Sequence, residues 1–235
     1  MRTELVVALD VPSASQVGPI VDTLGADVRW YKVGLELFAA EGPRALEPLR
    51  ARDKHVFLDL KLHDIPRTVE RAVRAAATHG VGLLTVHAAG GRVMLEAAVA
   101  AAREFGRDRP RLVAVTVLTS LDAAELERIG LRGGPAEAAA RLAELAIGAG
   151  VDGLVCSPRE AAELRARFGP TVLLVTPGIR GAGAATGDQK RTGTPAEAVR
   201  AGATHVVVGR PILEAPDPTA AARAVLAEMA QALNT

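Results

Sequence analysis

The chain is 235 residues long, carries a formal charge of +1 and holds a single cysteine. A chain of this length buries a sizeable core unaided, so no disulfide framework is expected and a reducing cytosol is the natural setting. The charge balance offers no global field for nucleic acid or an acidic membrane surface. No apolar run reaches the roughly 18 residues of a membrane span.

Residues 1–10 form an apolar run too short for a signal peptide and read as a strand. Runs rich in Val, Leu and Ile recur at 4–9, 29–33, 55–60, 82–86, 111–117, 152–155, 171–175 and 205–208. Continuous apolar runs of that kind suit parallel strands buried on both faces. Between them lie alanine-rich amphipathic stretches, among them 68–78, 93–105, 136–149 and 220–233, which predict helices. Ser157-Pro158-Arg159-Glu160 and Thr194-Pro195-Ala196-Glu197 each supply a cap, a proline and a glutamate in the order that starts a helix; Asp217-Pro218 opens the last one similarly. Eight strand–helix units without a composition break predict an α/β fold, a (β/α)8 TIM barrel spanning 1–235 as a single domain. A doubly wound open sheet is the alternative. Residues 178–193 interrupt the rhythm: five glycines in a long aperiodic span predict either a functional lid or a disordered loop.

The densest chemical signal is His55-Val-Phe-Leu-Asp59-Leu-Lys61-Leu-His63-Asp64-Ile-Pro66. Strand alternation sends Asp59 and Lys61 to one face, and Leu58, Leu60 and Leu62 to the other. At the carboxyl end of a barrel strand the first face is the mouth, where barrel active sites sit. Asp64 follows on the loop before Pro66. A lysine between two carboxylates offsets the cost of burying charge. Each pair at ~4 Å and an effective dielectric of ~20 interacts by roughly 4 kcal/mol before desolvation. The same spacing also suits an ion-pair network that only holds the barrel together.

Asp10 and Lys32 end the first and second strands and bring ionisable groups to the same rim, although Asp10 also fits a helix cap. Only four of the 28 basic residues are lysines, namely Lys32, Lys54, Lys61 and Lys190. Against an arginine background, a retained lysine suits a place that needs a compact ammonium able to release its proton. Near the end of the chain, Val206-Val-Val208-Gly209-Arg210-Pro211 joins a strand to a helical turn. Gly209 admits a close ligand, and the fork of Arg210 suits phosphate. Arg180, Gln189, Lys190 and Arg191 lie in the long loop and are candidates to close over the same anion; Lys190 and Arg191 also read as plain solvated charges.

Other signatures are missing. No dinucleotide or P-loop glycine pattern occurs, and His55, His63, His79, His87 and His205 lack metal-ligand spacing. His63 and His87 fall near strand ends, either lining the site or packing behind it. Cys156 reads as a buried strand residue. Trp30 and Tyr31 are too few to form a stacking surface for nucleic acid.

Asp59-Leu-Lys61-Leu-His63-Asp64-Ile-Pro66 resembles the catalytic motif of the orotidine 5′-phosphate decarboxylase family. Val7-Ala-Leu-Asp10, Lys32-Val-Gly-Leu-Glu-Leu-Phe38, Thr85-Val-His-Ala-Ala-Gly-Gly91, Leu118-Thr-Ser120, Val155-Cys-Ser157, Val175-Thr-Pro-Gly-Ile-Arg180, Asp188-Gln-Lys-Arg191 and Val208-Gly-Arg-Pro211 resemble its other segments, in the family's order. The resemblance implies conversion of orotidine 5′-monophosphate to UMP and CO2 in pyrimidine biosynthesis, with no metal or organic cofactor. It implies Lys61 as proton donor to C6, within a charged array of Lys32, Asp59, Lys61 and Asp64. It implies a homodimer in which Asp64 and Thr68 come from the neighbouring subunit. Asp10 and Lys32 would meet the ribose and Thr119 the pyrimidine, while Arg180, Gln189, Gly209 and Arg210 would hold the phosphate. The motif run itself, Asp59, Leu60, Lys61, Leu62, His63, Asp64, Ile65, Pro66, Arg67 and Thr68, would frame the substrate. Arg67 departs from the asparagine usual in bacterial members. A sugar-phosphate decarboxylase of the same superfamily, which uses Mg²⁺, shares the Asp-x-Lys-x-x-Asp core and is the alternative.

Overall fold

A computed structural model describes residues 3–179 and 192–232. Eight parallel strands close into a barrel in sequence order: β1 (Glu4–Leu9), β2 (Trp30–Val33), β3 (His55–Leu62), β4 (Leu83–His87), β5 (Arg111–Val115), β6 (Gly153–Val155), β7 (Leu173–Thr176) and β8 (His205–Val208). β8 pairs back onto β1, with Val6 opposite Val207, so no edge is left open. Closure excludes the open sheet.

The apolar runs are unbroken because each strand is buried on both faces. Leu5, Val7, Leu9, Leu58, Leu84, Leu112, Leu154 and Val208 point outward into the layer shared with the helices. Val6, Ala8, Phe57, Leu83, Val113, Leu173, Val175 and Val207 point inward and fill the barrel. In-register neighbours carry the inner layer round: Ala8 stands opposite Lys32, and Lys32 opposite Phe57. A polar side chain at Lys32 thus replaces an apolar one in the layer nearest the mouth.

The helix starts read from sequence fall where expected, at Pro158, Pro195 and Pro218. Thr194 Oγ1 accepts from Glu197 N–H at 3.2 Å, and the Glu197 carboxylate accepts from Thr194 N–H at 2.8 Å. Glu160 accepts from Ser157 N–H at 2.9 Å, and Asp217 from Ala220 N–H at 2.9 Å. These bonds fix where each helix begins, and so the length of the loop that precedes it.

One strand departs from the regular pattern. β3 runs two residues beyond its predicted end at residue 60, and its pairing with β4 shifts between Leu58 and Leu62. Leu58 opposes Leu84 and Leu62 opposes Val86, so three residues of β3 face one residue of β4. Lys61 lies in this interval with φ of +50°, in the left-handed region that a lysine rarely adopts. Among the described residues, no helix is long and apolar enough to cross a membrane.

Candidate active site

The carboxyl ends of the strands surround a cavity of about 280 Å³ lined by, among others, Asp10, Lys32, Asp59, Lys61, Thr119 and Arg210. Asp59 is its electrostatic centre. Lys61 Nζ lies 2.8 Å from both carboxylate oxygens of Asp59, and Lys32 Nζ lies 3.7 Å from Oδ2. Lys32 Nζ also donates to Asp10 Oδ1 at 3.0 Å. Two acids and two lysines from three adjacent strands therefore form one chain of ion pairs. The side chains of Asp59 and Lys32 are each 12% exposed, against 32% for Lys61. The most accessible ammonium is thus Lys61, anchored on a carboxylate that water barely reaches.

Lys61 reaches Asp59 by a route that simple alternation does not describe. Its left-handed backbone and the shifted register turn its side chain back toward the Asp59 face. A non-glycine residue held there stores on the order of 1–3 kcal/mol, which the surroundings must offset. Part of that restraint is Thr85, fully buried on β4. Its Oγ1 accepts from Lys61 N–H at 2.7 Å and donates to Asp59 Oδ1 at 3.0 Å. Sequence reasoning assigned Thr85 no role, because a threonine in a strand is ordinary and its partners depend on the register shift.

Two glycines clear space at the rim. A Cβ on Gly34 would stand 2.8 Å from Lys32 Nζ, and one on Gly209 would stand 3.2 Å from Asp10 Oδ2. A side chain at Gly34 would push the Lys32 ammonium aside, and one at Gly209 would press on the Asp10 carboxylate. Gly209 was a candidate from sequence; Gly34 was not, because its demand comes from a side chain on the preceding strand.

Asp64 needs correction against the spacing argument. Within the chain, Lys61 does not sit between Asp59 and Asp64. The Asp64 side chain is exposed and accepts from Ile65 N–H at 2.6 Å, capping the turn before the helix Pro66–Ala77. Asp64 is not among the residues lining the cavity, nor are Leu60, Leu62, His63, Ile65, Pro66, Arg67 and Thr68. Leu60 and Leu62 pack outward against the main core, as the opposite face of β3 requires. His63, Asp64, Ile65, Arg67 and Thr68 form an exposed strip beside the mouth.

His63 and His87 stack with ring centroids 5.3 Å apart and planes at 23°. Burial, then the neighbouring His63 and Lys61 charges, hold His87 below the ordinary histidine value. Neither ring lines the cavity: His63 is exposed and His87 is half-buried. Cys156 is buried as expected, yet it contributes to the cavity wall beside Val117, Leu118 and Pro177. Arg180, Gln189, Lys190 and Arg191 lie outside the described residues. Among the described residues, no group of three or more His, Cys, Asp and Glu is placed to hold a metal ion.

Fold and site together define an α/β barrel whose mouth carries an ion-paired lysine and an arginine on the wall of one cavity. A sequence model of the orotidine 5′-phosphate decarboxylase / HUMPS family matches residues 3–225. An orotidine 5′-phosphate decarboxylase from Anaeromyxobacter sp. (strain K) is 58% identical over 220 residues, 94% of this chain and 95% of the relative. One from Halorhodospira halophila is 57% identical over 228 residues, 97% and 96% of the two chains. The crystal structure of orotidine 5′-phosphate decarboxylase from Lactobacillus acidophilus superposes with a TM-score of 0.86 at 39% identity, covering 97% of this chain and 99% of that one. The chain belongs to the orotidine 5′-phosphate decarboxylase / HUMPS family and is a carboxy-lyase.

Proposed function

We propose that this protein converts orotidine 5′-monophosphate to UMP and CO2 in de novo pyrimidine synthesis, without a metal or organic cofactor. The observation that carries the reading is the Lys61 ammonium bound by both oxygens of Asp59 at the cavity wall. In this reaction the bond from C6 to the carboxylate breaks, and its electron pair stays in the ring plane at C6. The π system cannot spread that pair. A fixed ammonium beside C6 stabilises the charge as it develops and then delivers its proton to the carbon, while CO2 departs. Lys61 is left as an amine and recovers a proton from water.

The remaining residues take the roles that the family resemblance implies. Asp10 and Lys32 meet the ribose, Thr119 the pyrimidine, and Gly209 and Arg210 the phosphate, with Arg180 and Gln189 of the loop assigned to the same end. Binding of the phosphate organises the charges, so remote binding energy is spent on the transition state. The whole chain, 1–235, serves as one catalytic domain.

A homodimer supplies the missing acid. Leu35, Ile65 and Val93, exposed at 55%, 67% and 67%, follow β2, β3 and β4 and so share one side of the rim. Covering that strip with a second copy brings the partner subunit's Asp64 and the partner subunit's Thr68 to the mouth. An isologous pairing would complete both sites at once. The reducing interior of the cell is the proposed location.

The decisive test is the loss of orotidine 5′-monophosphate absorbance on adding purified protein in EDTA, with UMP and CO2 measured as products. No turnover would sink the assignment. Turnover only with Mg²⁺, and of a sugar phosphate instead, would favour the superfamily alternative.

A further inference from the structure

Thr85 occupies an unusual place in the barrel. It is the single residue of β4 between Leu84 and Val86, and it faces the three residues of β3 between Leu58 and Leu62. The register of the ladder shifts across this interval, and Lys61 N–H turns to a side chain. The Thr85 hydroxyl accepts that N–H at 2.7 Å and donates its own O–H to Asp59 Oδ1 at 3.0 Å. Lys61 Nζ returns to the same oxygen at 2.8 Å. The four groups close a ring: Lys61 backbone, Thr85 hydroxyl, Asp59 carboxylate and Lys61 ammonium.

We infer that Thr85 is a positioning residue for the decarboxylation proposed above, fixing the backbone of Lys61 and the carboxylate that carries its ammonium. The inference rests on that proposed reaction. Thr85 does not line the cavity. Its effect passes through Lys61 and Asp59 alone. The hydroxyl is needed in both senses, since it accepts from one group and donates to another. Serine provides the same pair of bonds. Valine matches the shape of threonine and provides neither.

A ring that aims the ammonium affects the chemical step more than binding, because the ribose, base and phosphate contacts assigned above come from other strands and loops. The experiment compares wild type, Thr85→Val and Thr85→Ser for kcat and KM with orotidine 5′-monophosphate, and for UMP affinity by calorimetry. Thr85→Val is expected to lose kcat by about 10- to 100-fold, the rate equivalent of one hydrogen bond to a charged group, with KM and UMP affinity within about threefold of wild type. Thr85→Ser is expected to recover kcat to within about threefold. An unchanged kcat in Thr85→Val overturns the inference. So does a kcat loss matched by an equal loss of UMP affinity, or a serine variant as slow as the valine one. If Thr85→Val does not fold, Thr85→Ala against Thr85→Ser carries the same contrast, and equal kcat in those two overturns it. Wild-type protein that releases no CO2 would overturn the decarboxylase reading itself, and this inference with it.

Discussion

Lys61 Nζ stands 2.8 Å from each carboxylate oxygen of Asp59, while Lys32 Nζ approaches the same carboxylate at 3.7 Å. One acid therefore holds two ammonium groups; both line the cavity, and Lys61 is the more exposed. Lys61→Ala removes the group assigned to stabilise and protonate C6. Its kcat is expected to fall more than about 10⁴-fold, because both a proton donor and a charge stabiliser are lost. UMP affinity should persist, since the phosphate contacts remain. Stopped assays of CO2 release, paired with calorimetric titration of UMP, check both halves. Residual turnover within about tenfold of wild type would be incompatible with the assigned role.

Arg210 lines the cavity at the end of β8, across the barrel mouth from Lys61. If it grips the phosphate, Arg210→Ala should lower kcat/KM by about 10²- to 10³-fold, in line with losing a charge-assisted pair. The phosphate-free nucleoside orotidine should be a poor substrate for the wild type and should barely distinguish wild type from Arg210→Ala. That second comparison is the sharper one. Equal penalties with nucleotide and nucleoside would place Arg210 away from the phosphate.

Much of this arrangement was legible in the sequence, for identifiable reasons. Strand positions showed because both faces of each strand are buried, leaving unbroken runs such as Leu5 to Leu9 and Val206 to Val208. Asp10, Lys32, Asp59 and Arg210 showed because charged residues at strand ends interrupt those runs. What stayed hidden depends on register. The alternation argument placed Lys61 on the correct face, but the shift between Leu58 and Leu62 and the positive φ of Lys61 carry it there. Thr85 became visible only once that shift set it against Lys61 N–H. Gly34 matters through Lys32, a neighbour whose side-chain direction spacing does not give. Asp64 read as a cavity acid because it lies three residues after Lys61, yet the turn before Pro66 points it outward to cap Ile65 N–H.

The outward strip bears on assembly. Ile65 is 67% exposed, next to Asp64 in the chain. Ile65→Asp puts a charge where the proposed interface needs apolar contact. Burying an unpaired carboxylate there costs several kcal/mol, enough to shift a dimer to monomer at micromolar concentration. The variant is expected to sediment as a folded monomer with greatly reduced turnover, because each site would lack the partner's Asp64. Full activity in a monomer at assay concentration would remove the shared-site proposal and leave the single-chain array as the complete one.

At the opposite end of the barrel, His205 opens β8 and is 5% exposed. It packs edge-on against Trp30 with centroids 5.3 Å apart, and its Nδ1 lies 3.0 Å from Thr204 Oγ1. Burial, then the charge of Arg111, push its pKa from the ordinary 6.5 down to about 4. The folded protein therefore keeps this ring neutral, while the unfolded chain binds a proton below pH 6.5. Between those two values the unfolded state holds more protons, so stability falls as the solution is acidified. The loss is complete near pH 4 and reaches up to about 3 kcal/mol. Above pH 6.5 the group contributes no pH dependence. His205→Gln removes the titration without adding charge. Urea melts from pH 7 to pH 4.5 should show a steeper acid loss for wild type than for the variant, by on the order of 2 kcal/mol across that range. Because His205 lies at the far end of the strands from Lys61, turnover at pH 7.5 should be the same in both proteins. Parallel stability curves would mean that the ring takes its proton without leaving the barrel, through water reaching the Trp30 layer.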